Sequence, residues 1–167
     1  MLKILLLSDT HGYLDDVILK YCEEADEIWH AGDFGSIQIS DTLSKITTLR
    51  GVYGNIDSQE IRKVHPLELF FEADGLRILM IHIGGYPGKY PANVMERIKI
   101  WRPDLFICGH SHILKVVRDM KFNKMLCINP GAAGKNGFHT ERTMIRMEIG
   151  NGKVTSMEVI ELGKRSS

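Results

Sequence analysis

Five apolar runs in this chain end in the same way, on Asp, Asn or His with a glycine close by. Leu5-Leu6-Leu7-Ser8 runs into Asp9-Thr10-His11-Gly12, Ile28-Trp29-His30-Ala31 into Gly32-Asp33, and Leu49–Tyr53 into Gly54-Asn55-Ile56-Asp57. Leu79-Met80-Ile81 runs into His82, and Leu105-Phe106-Ile107-Cys108 into Gly109-His110-Ser111-His112. Short continuous apolar runs mark strands covered on both faces. In α/β sheets, functional residues collect beyond the carboxyl ends of such strands, and glycine lets the backbone turn sharply there. The pattern predicts five buried strands whose ends converge on one polar site.

The connections agree. Strands are expected over Lys3–Ser8, Glu27–His30 and Thr47–Tyr53, separated by helices over Tyr13–Glu24 and within Ser36–Ser44. In the first helix Leu14, Val17, Ile18 and Tyr21 share a face, and Asp15 and Asp16 sit near its positive N-terminal end. A β-α-β-α-β order implies parallel pairing with right-handed crossovers. The second half changes character. Ala73-Asp74-Gly75-Leu76 joins Leu67–Glu72 to Arg77–His82, and Gly150-Asn151-Gly152 joins Thr143–Ile149 to Lys153–Glu161, both as hairpins. A helix over Ala92–Trp101 ends before Arg102-Pro103, and strands are expected over Asp104–Cys108, Leu114–Arg118 and Lys124–Ile128. The expected class is α/β, with two stacked mixed sheets flanked by helices. It forms one domain over residues 1–162, with a frayed tail at 163–167.

Charge and composition narrow the function. Lys+Arg and Asp+Glu both number 21, so the chain lacks the basic footprint of a protein that grips a long nucleic-acid tract. A small phosphoester, including a short nucleotide, remains compatible. No apolar run reaches the length of a membrane span, and Ser8-Asp9-Thr10-His11 interrupts the leucine-rich start too early for a signal peptide. Cys22, Cys108 and Cys127 form no CxxC pair and read as reduced thiols filling a core, which points to the cytoplasm. The sequence leaves a homo-oligomer open.

Asp9, His11, Asp33, Asn55, His82, His110 and His112 offer oxygen and imidazole nitrogen without thiolate. That set suits Mn²⁺ first, and Zn²⁺, Fe²⁺, Ni²⁺ or Co²⁺, better than a structural zinc site. In Asp9-x-His11 and His110-x-His112, strand alternation would turn both members of a pair to one side. Seven ligands are too many for one ion but suit two with a shared carboxylate, the dinuclear arrangement that recurs in phosphoryl transfer to water. Alone, each motif is weak: Asp-Thr-His is most often a capped turn, and Gly-Asp and Gly-Asn are turn dipeptides. Their specificity lies in the order of all five.

In that order they resemble the signature of the calcineurin-like metallophosphoesterases: D-x-H, G-D, G-N-x-D, H and G-H-x-H. Asn129-Pro130-Gly131 is similar to a turn of the small bacterial and archaeal phosphodiesterases of that family. The resemblance implies an αββα sandwich with a dinuclear metal site at the strand C-terminal ends. It implies Asp9, His11 and His112 on one ion, Asn55, His82 and His110 on the other, and Asp33 bridging. It implies hydrolysis of phosphodiesters, and more weakly of monoesters, by a metal-bridging hydroxide, with Asp33, Asn55, Asp57 and His110 as catalytic residues. Two positions depart from the pattern. Ile56 stands where many members carry a proton-donating His, although its usual acidic partner Asp57 is kept. Gly84 follows His82-Ile83 where many relatives have a second His.

The rival class is a scaffold, since a retromer subunit keeps this fold as an interaction protein; the complete ligand set favours the enzyme. A DNA-end nuclease is disfavoured by zero net charge. Of the remaining histidines, His30 is expected buried, His65 exposed, and His139 a candidate substitute acid. The loop Gly84–Pro91 offers Tyr86, Lys89 and Tyr90 for substrate contact.

Overall fold

Alternation along the first strand, β1 (Leu2–Leu7), sets the layers. Ile4 and Leu6 point into a core between two sheets, while Leu5 and Leu7 point into a second core beneath two helices. All four are essentially inaccessible to water. A slip of one residue would exchange the two cores, so burial on both faces pins the register. The computed structural model describes residues 1–166; Ser167 lies outside the described residues.

After β1 come α1 (Asp16–Glu24), β2 (Glu27–His30), α2 (Ile37–Ile46), β3 (Thr48–Gly51) and a short α3 (Gln59–Arg62). Helix α1 begins later than its apolar face suggests, because the Asp15 carboxylate caps it by accepting the Ile18 N–H at 2.9 Å. The second half holds β4 (Glu68–Ala73), β5 (Leu76–Ile81), α4 (Ala92–Trp101), β6 (Leu105–Ile107), β7 (Lys115–Asp119), a 3₁₀ turn, β8 (Met125–Asn129), β9 (Glu141–Gly150) and β10 (Lys153–Lys164).

One five-stranded sheet has the order β10-β9-β1-β2-β3 and the other β4-β5-β6-β8-β7. Both are mixed. β1, β2 and β3 run parallel, as do β5, β6 and β8, while β9 with β10, β4 and β7 add antiparallel edges. Trp29, Val52, Ile78, Met80, Ile107 and Ile145 fill the space between the sheets. Outside the first sheet, Ile18 and Cys22 of α1 and Ile39 and Leu43 of α2 pack on Leu5, Leu7 and Ile28. Outside the second, Val94 and Ile98 of α4 pack on Leu79, Ile81 and Phe106. This is the expected αββα layering, and it brings the carboxyl ends of six parallel strands to one edge.

Two expectations are corrected. The tail is not frayed from residue 163: Gly163 and Lys164 pair with Arg142 and Glu141, and Arg165 donates its backbone N–H to Thr140 and its Nε–H to His139. His65 is buried, not exposed, stacked on Phe34 with its Nε2 2.8 Å from Ser40 Oγ. The α3 turn, with Ile61 buried, turns His65 inward while Val64 stays exposed. The three cysteines are buried as expected, and burial pushes the Cys22 and Cys108 thiols up to about 12. Among the described residues, no helix is long and apolar enough to cross a membrane.

Candidate metal centre

The loops leaving β1, β2, β3, β5 and β6 are laced together by main-chain bonds. Asp9 N–H donates to Gly32 O, His11 N–H to Asp33 O, Gly109 N–H to His82 O and Gly134 N–H to Asp9 O. This lacing gathers the seven predicted ligands into two groups, Asp9–His11–His112 and Asp33–His82–His110. Within each group the potential ligand atoms lie within 4.8 Å of one another. Asn55 joins the second: its Oδ1 lies 3.1 Å from His82 Nε2 and 3.0 Å from His110 Nδ1.

Strand alternation is not what pairs Asp9 with His11 or His110 with His112. These residues lie past the strand ends, and their backbones are left-handed: φ is 54° at Asp9, 46° at His11, 71° at His110 and 63° at His112, with Asp33 at 59°. A left-handed non-glycine residue costs about 1 kcal/mol or more. Five of them approach the lower end of a domain's net stability, about 5 kcal/mol. Such strain persists only where surrounding structure imposes it, and here it aims five side chains at one space.

The electrostatics fit a cation. Burial pushes the Asp9 carboxyl up, but the facing His11, His112 and His82 rings and the Ser8 hydroxyl overturn this and hold it well below the usual carboxylate range. The facing Asp9 carboxylate raises His11. Burial lowers His82, but Asp33 and Asp9 more than offset it and raise it overall. His82 Nδ1 is 2.7 Å from the Ala31 carbonyl and donates there, so in the neutral ring a bare Nε2 faces Asp33 Oδ2 at 3.2 Å and Asn55 Oδ1 at 3.1 Å. Asp9 Oδ1 and His11 Nε2 are buried without a hydrogen-bond partner, 3.7 Å apart. Lone pairs that converge without donors are stable only around protons or a positive ion.

Asp57, expected among the catalytic residues, has a structural role. Its buried carboxylate accepts backbone N–H groups from Phe34 at 3.2 Å, Gly35 at 3.0 Å and Gly54 at 2.8 Å. It therefore staples the Asp33 loop to the Asn55 loop. His30 is a buried structural histidine, as expected. Its Nδ1 accepts from Gly32 N–H, its Nε2 meets Thr10 Oγ1 at 3.0 Å, and burial pushes it down to about 3. His139, the candidate substitute acid, has both ring nitrogens engaged: Nδ1 faces His112 Nδ1 at 3.1 Å and Nε2 the Gly134 carbonyl at 2.9 Å.

Sequence reasoning missed the supporting residues. Asn129 Nδ2 donates to Gly109 O and Ser111 Oγ, steadying the Gly-His-Ser-His loop. Its signal was the Asn-Pro-Gly turn. Ser8 Oγ donates to Asp9 Oδ2 at 2.6 Å, and nothing in the sequence marked it.

The family model for the calcineurin-like phosphoesterase superfamily domain matches residues 2–152. A probable metallophosphoesterase of Mycoplasma pneumoniae is 30% identical over 120 residues, covering 68% of this chain and 69% of that protein. A probable metallophosphoesterase of Methanothermobacter thermautotrophicus is 26% identical over 132 residues, covering 76% and 74%. Among solved structures, Vps29 from Entamoeba histolytica, complexed with zinc, superposes with a TM-score of 0.73 at 14% identity, over 98% of this chain and 99% of that one. At that identity the likeness concerns the fold.

Proposed function

Because the chain belongs to the calcineurin-like phosphoesterase superfamily, we propose that it hydrolyses phosphodiesters, and more weakly monoesters, at two divalent ions. Asp9, His11 and His112 would hold one ion and Asn55, His82 and His110 the other, with Asp33 shared. The observation that carries this reading is the position of Asp33: its Oδ2 lies 3.5 Å from His11 Nε2 of the first group and 3.2 Å from His82 Nε2 of the second. Two such ions, when bound, lower the pKa of a shared water and neutralise phosphate oxygens. The oxygen and nitrogen donors favour Mn²⁺, with Zn²⁺, Fe²⁺, Ni²⁺ and Co²⁺ as competitors.

The surroundings support a diester over a monoester. Two clefts, of about 430 and 230 Å³, flank the second group and share Ile83 and Pro91 as a divider. The larger reaches Asn55 and His82 and holds Tyr53 with Arg62 over its ring at 4.5 Å. The smaller reaches His110 and holds Tyr86 with Lys115 over its ring at 4.2 Å. A diester has two organic arms to seat and a monoester one.

Elemental analysis and titration are expected to find two divalent ions per chain. At most one ion with every metal tried would reject the dinuclear reading. Two ions bound, with no turnover of any diester or monoester, would favour the scaffold role instead.

A second check needs no ligand to be changed. A Cβ on Gly54 would stand 2.0 Å from Asp33 Oδ1 and 2.5 Å from Asp33 N. Gly54→Ala is therefore expected to push the shared carboxylate aside and weaken metal binding about 10–100-fold, the usual effect of disturbing a group behind a ligand. Wild-type affinity in this variant would show that the loop yields without moving Asp33.

A further inference from the structure

We infer that His139 is a positioning residue that fixes which nitrogen of His112 is bare, and so readies the first ligand group for its ion. The inference rests on the metal reading above and assigns a role to a residue outside the seven ligands. His139 sits on the loop that follows the Asn129-Pro130-Gly131 turn, and that loop is pressed against the site. A Cβ at Gly134 would lie 2.3 Å from Thr10 O. One at Gly137, where φ is +133°, would lie 2.3 Å from His112 Nδ1. Glycine alone permits either approach. The same loop brings the Asn136 side-chain amide to 3.2 Å from His11 Nδ1, so both imidazoles of the first group are touched from one segment.

The donor logic runs in one direction. His139 Nε2 lies 2.9 Å from the Gly134 carbonyl oxygen, which only accepts, so Nε2 carries the ring hydrogen. In a neutral ring Nδ1 is then an acceptor. It faces His112 Nδ1 at 3.1 Å, and His112 must donate there. That leaves His112 Nε2 bare, 3.2 Å from Asp9 Oδ1 and inside the first group. Which nitrogen of a histidine is free for a metal is set by the bond the other makes. Without His139, His112 Nδ1 has no acceptor to fix it, and the ring is free to place its hydrogen on Nε2, where it blocks the ligand lone pair.

The test uses the full chain, His139→Leu and His139→Asn, with two readouts. Imidazole nitrogen NMR on metal-free protein, at alkaline pH where the rings are neutral, reads the tautomer of His112. Titration with Mn²⁺ and Zn²⁺ reads the two affinities. The wild type is expected to show His112 with its hydrogen on Nδ1. His139→Leu should move it to Nε2 and weaken one of the two ions about 10–100-fold while sparing the other. His139→Asn, whose side-chain oxygen can accept from His112, should regain most of that loss. A wild-type His112 carrying its hydrogen on Nε2 would overturn the inference whether or not the variants fold, as would a His139→Leu protein that binds both ions as tightly as wild type. A wild type that binds no second ion would overturn the dinuclear reading instead.

Discussion

Asp33→Ala is expected to lower phosphodiesterase activity by at least about a hundredfold, on the scale of losing one major electrostatic stabiliser, and to reduce binding of both ions. Asp33 lies beside histidines of both groups, with Oδ2 at 3.5 Å from His11 Nε2 and 3.2 Å from His82 Nε2, whereas Asp9 Oδ1 stands farther from His82 Nε2, at 3.8 Å. Its other oxygen accepts the Ile56 N–H at 3.1 Å and ties down the Asn55 loop. The residue also holds a left-handed backbone, which Ala tolerates poorly and Asn well. Asp33→Asn therefore separates charge from conformation: it keeps the shape and should still lose most activity. Steady-state rates with ion counts on Asp33→Ala, Asp33→Asn and Asp9→Ala decide the matter. Near-normal turnover of Asp33→Ala beside a dead Asp9→Ala would move the shared role to Asp9.

The rate is also expected to depend steeply on the leaving group. Breaking the P–O bond leaves an alkoxide that needs a proton, and a positioned acid supplies about 10²–10⁴-fold, most for poor leaving groups. No free acid stands at the position the family pattern points to, and the candidate substitute is already hydrogen-bonded. Ile56 stands at the rim, 48% exposed, with no proton to give. Both ring nitrogens of His139 are engaged, by His112 and by the Gly134 carbonyl. Aryl diesters should then be cleaved faster than alkyl diesters by a factor within that range. Ile56→His should flatten the dependence only in part. The Asp57 carboxylate that would orient a new imidazole already accepts three backbone N–H groups. The measurement is a leaving-group series on wild type and Ile56→His; equal slopes at equal metal content would show that Ile56 does not stand in for a missing acid.

The layers and the site's membership were legible in the chain. Continuous apolar runs such as Leu5-Leu6-Leu7 have one stable use, a strand covered on both faces. The residues that end them, Asp9, Asp33, Asn55, His82 and His110, must then emerge at the same edge once the strands run parallel. Burial acts on each strand separately, so its signal is local and survives in the sequence. Helix α4 was read to the residue for the same reason, with Pro103 marking its end.

What the tertiary structure alone decided was how those residues are aimed and held. Asp9, His11, Asp33, His110 and His112 are forced into left-handed conformations by bonds to neighbouring loops, and no local pattern in these residues demands that. Asp57 became a staple because Phe34, 23 positions away, offers its N–H. His65 was drawn inside because α3 turns the chain back beneath Phe34. His139 meets His112 across 27 positions. A hydrogen bond's partner is set by where two distant strand ends arrive relative to each other. That alignment is a property of the packed sheets, and periodicity along either segment carries no trace of it.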